Sequence, residues 1–417
     1  MYLLYEVVLY LALLLALPYF LLTGVLRGKY IVNFPARMGF YRDPSERHDL
    51  WIHAVSVGET LAAQPVVAEI LRLRPETTIV FTTTTVTGQA QARRLFPQST
   101  ITYFPLDFRF AVNRFFGTYA PRVFATLETE IWPNVTRLAK ERGVRLILAN
   151  GRISDRSFPR YDLFRRIVGP VLRNYDRILA REETDRERFI ALGASPAAVE
   201  TTGNVKFDYE LETSTLEIAA ELEALIGGRK VVVLGSTKQG EDEELLPYVE
   251  RLVAEHNAFV VIAPRKAERF ELVAGLLATS SVRFVRRSEL EAFEGQADVL
   301  LLDTIGELRK MYRYATVAFV GGSLVAEGGQ NPIEPAAAGV PVCFGPSMSN
   351  FREIATTFVR ARAGAQCASA AQVADFIRHM LDNEALQAEW SARAMETVSQ
   401  NRGASTRTAE RILELLA

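Results

Sequence analysis

Cysteine and histidine are scarce in this chain of 417 residues, which has two cysteines, Cys343 and Cys367, and four histidines. Two thiols cannot frame a disulfide-stapled fold, and with four scattered imidazoles they make a poor zinc site. Catalysis is therefore expected to avoid a Cys/His nucleophile, and the sparse thiols suit a reducing compartment. An excess of charge of either sign is also missing. Lys and Arg number 48 against 49 Asp and Glu, a formal net charge of -1, which argues against a surface given over to nucleic acid. Nor is apolar material short: 49% of residues are hydrophobic and 23% charged, which excludes a disordered chain. No repeat of 20–50 residues and no low-complexity tract appears. The length accommodates two or three domains at roughly 100–200 residues each.

One long uncharged run is present. From Val7 to Leu26 the chain reads VVLYLALLLALPYFLLTGVL, enough for a helix across a hydrocarbon core of about 30 Å. Pro18 kinks such a helix without forbidding it. Tyr2, Tyr5 and Tyr10 suit one interface, and Arg27, Lys29, Arg37, Arg42 and Arg47 lie beyond the other end. The positive-inside rule then puts the remainder in the cytoplasm. A cleaved signal peptide lacks support, because the basic n-region and the small-residue cleavage site are both missing. A helix lying in the interface is the other reading; the near-continuous apolarity favours spanning. Residues 1–27 are thus read as a membrane anchor.

Beyond Asp49, short apolar runs alternate with helical patterns. Expected strands are Leu50–Val55, Thr78–Thr84, Thr100–Leu106, Arg122–Glu128, Arg145–Asn150 and Asp176–Ala180. A second series follows at Lys230–Ser236, Phe259–Pro264, Val282–Arg287, Asp298–Asp303, Thr316–Gly322 and Val340–Gly345. Continuous Val/Ile/Leu runs mark strands buried on both faces, hence parallel sheets covered by helices. The expected fold is α/β, with two Rossmann-like domains facing across a cleft. The first covers residues 28–208 and the second 229–383. Tyr209–Gly228 is read as linker plus first helix, and 384–417 as terminal helices crossing back to the first domain. Open parallel sheets bind ligands at the carboxyl ends of their strands, so the active site is expected in the cleft.

Several strand ends carry candidate chemistry. HAVSVGET (His53–Thr60) opens a helix with Glu59 in its first turn, where a carboxylate can act as general base or simply complement the helix dipole. LETEIWPN (Leu127–Asn134) places Glu128 and Glu130 together; a turn between them would separate their directions, and either could pair with an arginine such as Arg152. Lys206 in GNVKFD lies at the domain boundary, within reach of an anion. GSTKQGEDEE (Gly235–Glu244) repeats the strand, small-residue loop and helix design, and Gly235, Ser236 and Thr237 suit a phosphate. The GxxxxGK[ST] spacing is missing, so nucleotide hydrolysis is not expected. Arg265 ends the next strand with a planar fork matched to phosphate or carboxylate. A glycine-rich loop from Gly321 leads into Asn331-Pro332-Ile333-Glu334-Pro335. There a carboxylate just past a helix start can accept ribose hydroxyls while amides hold a phosphate. No Asp-x-Asp pair stands at a strand end, so neither an essential metal nor another cofactor is expected.

Taken in order, these motifs resemble the bacterial 3-deoxy-D-manno-octulosonic acid (Kdo) transferases, membrane-anchored enzymes of GT-B fold that build the inner core of lipopolysaccharide. The likeness runs through the N-terminal apolar run, SVGE (Ser56–Glu59), ETEIWPN, RISDRS (Arg152–Ser157), TGNVKFD, GSTKQGE, PRKAERF, DTIGEL and GGQNPIEPAA. It implies an inverting transferase with CMP-Kdo as donor and lipid IVA as acceptor, working on the cytoplasmic side of the bacterial inner membrane without a nucleic-acid partner. It further implies that Glu59 is the base and that Glu128 and Lys206 assist at the transition state. The resemblance assigns CMP contacts to Pro264, Arg265, Ile305, Gly306, Glu307, Asn331, Pro332, Ile333 and Glu334. The chain departs from the family pattern at Lys238 and Lys266, positions where histidine is common. Two other readings stay open: a UDP-sugar-dependent lipid-linked transferase, and a catalytically silent, membrane-anchored nucleotide-binding module.

Overall fold

The computed structural model describes residues 2, 5–15, 33–41, 47–208 and 220–417. Seven strands form the first sheet: β1 (Leu50–His53), β2 (Ile79–Thr83), β3 (Thr100–Tyr103), β4 (Val123–Leu127), β5 (Arg145–Gly151), β6 (Arg177–Ala180) and β7 (Val199–Thr201). Their order is β3-β2-β1-β4-β5-β6-β7. The second sheet holds β8 (Val231–Thr237), β9 (Phe259–Pro264), β10 (Phe284–Arg286), β11 (Val299–Leu301), β12 (Val317–Val320), β13 (Val342–Phe344) and β14 (Gly364–Gln366). It runs β10-β11-β9-β8-β12-β13-β14. Every pairing in both sheets is parallel.

Alternation along the strands explains why their sequences read as unbroken apolar runs. In the first sheet Trp51, Val80, Phe124 and Leu146 enter one core, while Ile52, Phe81, Ala125 and Ile147 enter another. The second sheet repeats this, with Val232, Val260 and Phe319 on one side and Val233, Val261 and Ala318 on the other. Both faces are dry, so no polar alternation survives. All twelve strands read from the sequence are present. Two were missed, β7 and β14, each three residues long at a sheet edge, too short for an apolar run to declare itself.

The chain divides into two compact units, Met1–Asp208 with Asn401–Ala417, and Tyr209–Gln400. Residues 209–219 of the expected linker lie outside the described residues; from Ala220 to Ile226 it is a helix whose Leu222 and Ile226 are buried in the second core. Of the C-terminal stretch, the helix Glu384–Gln400 stays with the second unit, where Trp390 meets Phe376 edge-on at 5.0 Å. The return is made by the helix Ala404–Leu416. Its Ala409, Ile412 and Leu416 join Val66 and Ile70 in the core that holds Ile52 and Phe81. The Asp208 carboxylate accepts the Gly403 N–H at 2.5 Å and the Ser405 N–H, and so caps that helix.

At the N-terminus, residues 5–15 are helical. The Tyr5 hydroxyl donates to Asp107 at 2.9 Å, Glu6 pairs with Arg137 at 3.3 Å, and the Tyr10 ring packs on Phe108. Val7, Val8, Leu11, Leu14 and Leu15 stay exposed, Leu15 by 81%. Among the described residues no helix is long and apolar enough to cross a membrane. Residues 16–26 of the expected span lie outside the described residues.

Candidate active site

β1 and β4 are neighbours in register, His53 opposite Thr126, so the turns that follow them emerge side by side at the carboxyl edge of the first sheet. The turn after β1 starts the helix Val57–Leu73, with Ser56 at its N-cap. One carboxylate oxygen of Glu59 accepts the Ser56 N–H at 2.5 Å, closing a capping box. Its role in the helix start is therefore real. Burial and the neighbouring Glu128 carboxylate push the Glu59 pKa up, against the pull of Ser56 and Lys206. One side chain thus combines an oxygen anchored by its own helix with a carboxyl more basic than usual. His53, just upstream, is fully buried and stacked on Phe104 at 3.9 Å; burial lowers its pKa to about 3, so it stays neutral.

The turn after β4 carries the acidic pair. Glu128 sits at φ 59°, in the left-handed region uncommon for a residue with a β-carbon. Its carboxylate faces Lys206 Nζ at 3.3 Å and pairs with the Arg181 guanidinium. Burial opposes its ionisation, but Arg181 and Lys206 outweigh it and hold the pKa at about 2. Lys206 comes from the 3-10 turn Val205–Asp208, so the structure unites Glu59, Glu128 and Lys206 from three separate segments. Arg181 was not singled out from the sequence. It follows the last residue of β6, and the rule that ligand-facing groups stand at the carboxyl ends of parallel strands could have flagged it. The side-chain partners of Glu128 are these two cations rather than Arg152.

In the second unit the loop after β8, beside the expected phosphate site, is anchored by an internal carboxylate. Gly235, Ser236 and Thr237 belong to β8 itself. The amides that follow are used by Glu241, fully buried, whose carboxylate accepts Lys238 N–H at 2.9 Å, Gly322 N–H at 2.6 Å, and Ser323 and Leu324 N–H at 2.9 Å each. An internal carboxylate thereby ties the loops after β8 and β12 together. Ser236 is left-handed at φ 58°, and a β-carbon on Gly321 would stand 2.6 Å from its carbonyl oxygen, so glycine is required there. Lys238 pairs with Glu327 at 3.2 Å.

The residues assigned to CMP gather at the same edge of the second sheet. Pro264 ends β9, and the exposed Arg265 follows, its N–H bonded to Thr237 O at 3.0 Å. In the turn after β11, Ile305 is 85% exposed and Gly306 has φ 96°. Glu307 is held by Thr304 and by Arg287 at 3.0 Å. Asn331 folds its side-chain oxygen onto Ile333 N–H at 3.1 Å, and its amide reaches Glu334 at 3.5 Å. Burial raises the Glu334 pKa, while Arg309 (3.9 Å away), Asn331 and Arg265 pull it down. Arg309 was missed by the sequence reading, because only the turn of the short helix Leu308–Tyr312 aims it at Glu334. Among the described residues no group of three His, Cys, Asp or Glu side chains is placed to hold a metal.

Two doubly wound parallel sheets in succession, each with its polar turns at one strand edge, define a GT-B-like protein. The same architecture appears in the UDP-GlcNAc 2-epimerase of Neisseria meningitidis, at 12% identity and a TM-score of 0.60 over 88% of this chain and 100% of that one. It appears again in a glycosyltransferase from Rickettsia africae, at 13% identity and a TM-score of 0.57 over 89% and 99%. These likenesses establish the fold alone. The chain belongs to the 3-deoxy-D-manno-octulosonic acid transferase family. The family model described as 3-Deoxy-D-manno-octulosonic-acid transferase (kdotransferase) matches residues 32–209. A relative of that name from Haemophilus influenzae is 33% identical over 401 residues, 95% of this chain and 93% of the relative. Another from Bordetella pertussis is 34% identical over 93% of each.

Proposed function

We propose that this protein transfers Kdo from CMP-Kdo to lipid IVA with inversion at the transferred carbon. The observation that carries the reading is the constellation in the first unit: a half-buried, raised-pKa carboxyl at Glu59 beside the ion-paired Glu128 and Lys206. In this mechanism the acceptor hydroxyl loses its proton to Glu59 as its oxygen forms a bond to the anomeric carbon. The bond from that carbon to the CMP phosphate breaks, and the electron pair leaves with the phosphate. Glu128 and Lys206, paired with each other, assist at the transition state. Arg265 and the Asn331–Glu334 segment hold the departing nucleotide, with the ionised form of Glu334 accepting from ribose hydroxyls.

General-base assistance supplies about 10²–10⁴-fold, and placement and electrostatics supply the remainder. We further propose that the N-terminal run holds the enzyme to the inner membrane with its catalytic units on the cytoplasmic side. Exposure of Leu11, Leu14 and Leu15 on a helix docked through Tyr5, Glu6 and Tyr10 supports contact with lipid. The basic residues from Arg27 to Arg47 would attract the phosphates of a lipid A precursor.

Incubation with CMP-Kdo generated in situ and lipid IVA, followed by product mass, tests donor and acceptor together. Inhibition by CMP and not by UDP is expected; the reverse would favour a UDP-sugar donor, and CMP binding without any product would favour a silent module. Glu59→Gln should lower kcat by about 10²–10⁴-fold with CMP affinity unchanged, and undiminished turnover in that variant would remove Glu59 from the mechanism.

A further inference from the structure

Three charged groups of the first unit, Glu128, Arg181 and Lys206, arrive on three segments, and each segment is tied to the end of β5. The Glu128 N–H donates to Ala149 O at 2.9 Å. The Arg181 N–H donates to Gly151 O at 3.1 Å, and its Nε donates to Asn150 O at 3.2 Å. Next to Lys206, the Val205 N–H donates to the Asn150 side-chain oxygen, Oδ1, at 3.3 Å. Asn150 is therefore bonded to both segments that carry a cation, to one through its backbone and to the other through its amide. The mechanism above gives it no part.

The local backbone explains how an amide comes to lie there. Between the pairs Leu148–Ile178 and Gly151–Ala180, two residues of β5 stand against one of β6, a β-bulge. Bulges beside active sites commonly re-aim a side chain. Asn150 itself has φ 56°, in the left-handed region that asparagine enters more readily than most residues. Strict alternation would send it to the side of Leu146 and Leu148, but Val205 is buried on the opposite side, with Ile147. The bulge and the left-handed backbone bring the fully buried amide to Val205 instead. Only its oxygen is used, since Nδ2 has no partner among the described residues.

Lys206 needs such a tether. Its ammonium rides on a flexible four-carbon stem, so where it stands depends on where the backbone holds the residue. That backbone is a single 3-10 turn, Val205–Asp208, with Val205 and Phe207 buried. Asn150 bonds its first residue, and Asp208, its last, caps the helix Ala404–Leu416. Between these two points Lys206 Nζ stands 3.3 Å from Glu128.

We propose that Asn150 is a positioning residue for the transfer reaction, whose side-chain oxygen holds the Val205–Asp208 turn so that Lys206 meets Glu128. The role depends on the reading of Glu128 and Lys206 as the groups that assist at the transition state. Asn150 touches no substrate; it acts through the lysine.

Asn150→Gly isolates the tether, because glycine accepts φ 56° and keeps the carbonyl that Arg181 uses, while Oδ1 is lost. In the full-length protein with CMP-Kdo and lipid IVA, kcat should fall about 10- to 100-fold, as a displacement of about 1 Å would give, with KM for CMP-Kdo unchanged. The decisive comparison is a cycle with Lys206→Ala. Once the lysine side chain is gone, Asn150→Gly should change kcat by less than about twofold. An undiminished kcat in Asn150→Gly overturns the proposal. So does an equal loss in both backgrounds, which a merely weakened fold would produce. If Lys206→Ala is too slow to time, urea unfolding midpoints carry the same cycle: the drop caused by Asn150→Gly should be smaller without the lysine, and equal drops overturn the proposal. If Asn150→Gly fails to fold, Asn150→Ser, whose hydroxyl sits one bond short of the amide oxygen, takes its place with the same outcomes. Turnover in Lys206→Ala equal to the parent would defeat the role of Lys206 itself, and the proposal with it. A loss in Lys206→Ala together with an equal Asn150→Gly penalty in both backgrounds would defeat only the part given to Asn150.

Discussion

Replacing Glu128 with Gln strikes the site where its charges are most tightly balanced. The Glu128 pKa stands at about 2 against an ordinary 4.5, because Arg181 and Lys206 overcome the opposing effect of burial. At about 1.36 kcal/mol per decade, that gap corresponds to about 3 kcal/mol favouring the folded state with Glu128 ionised. A folded-state pKa below the unfolded value stabilises at pH above 4.5, and the contribution drains away as pH falls toward 2. Glu128→Gln should therefore cost about 2–3 kcal/mol at pH 7 and progressively less at lower pH. That cost already includes the loss to Arg181, whose side chain is only 4% exposed and would face a neutral amide. Lys206, one-quarter exposed, can turn to water.

Urea unfolding read by tryptophan fluorescence measures this, because Trp51 and Trp132 both sit in or against the first core. The comparison is between parent and variant at pH 7 and at pH 3. A variant as stable as the parent at pH 7 would refute the reasoning. So would a deficit that fails to shrink in acid, since the loss would then owe nothing to ionisation.

Three other outcomes follow from separate parts of the molecule. Asp208→Ala removes the two charge-assisted hydrogen bonds that cap the C-terminal helix and should destabilise the first unit by about 2–4 kcal/mol, with hydrogen exchange rising first in residues 404–416. Gly321→Ala drives a β-carbon to 2.6 Å from the Ser236 carbonyl and 2.7 Å from Thr237 Cα. Backbone cannot yield as a side chain can, so the unfolding midpoint should fall by the equivalent of about 1–3 kcal/mol, and CMP affinity, read by calorimetry, should fall with it. Arg309→Ala deprives the half-buried Glu334 of a nearby cation, lets its pKa rise further, and should weaken CMP binding about tenfold (about 1.4 kcal/mol) at pH 7. Because the protonated form grows as pH falls, that loss should deepen at pH 6; a deficit constant with pH would disconnect Arg309 from Glu334.

Local pattern alone decided a great deal. Strands buried on both faces have no polar side to show, so runs such as KVVVLGS and RLILAN announced parallel sheets. The restart of the series after Asp208 announced a second domain. Glu59, Glu128 and Lys206 were legible because each stands at a turn after an apolar run or at the domain boundary. What folding alone decided is which charges meet. Arg181, just past β6 and 53 residues further along, reaches Glu128, and no spacing in the sequence marks that pair. Four amides beside the expected phosphate site, those of Lys238, Gly322, Ser323 and Leu324, are satisfied by Glu241, because a loop 81 residues away swings its amides onto that carboxylate. Glu128 and Glu130, alike in sequence and two positions apart, end with opposite chemistry. A turn points one at two cations and leaves the other among carboxyls, and ionisation depends on neighbours in space rather than along the chain.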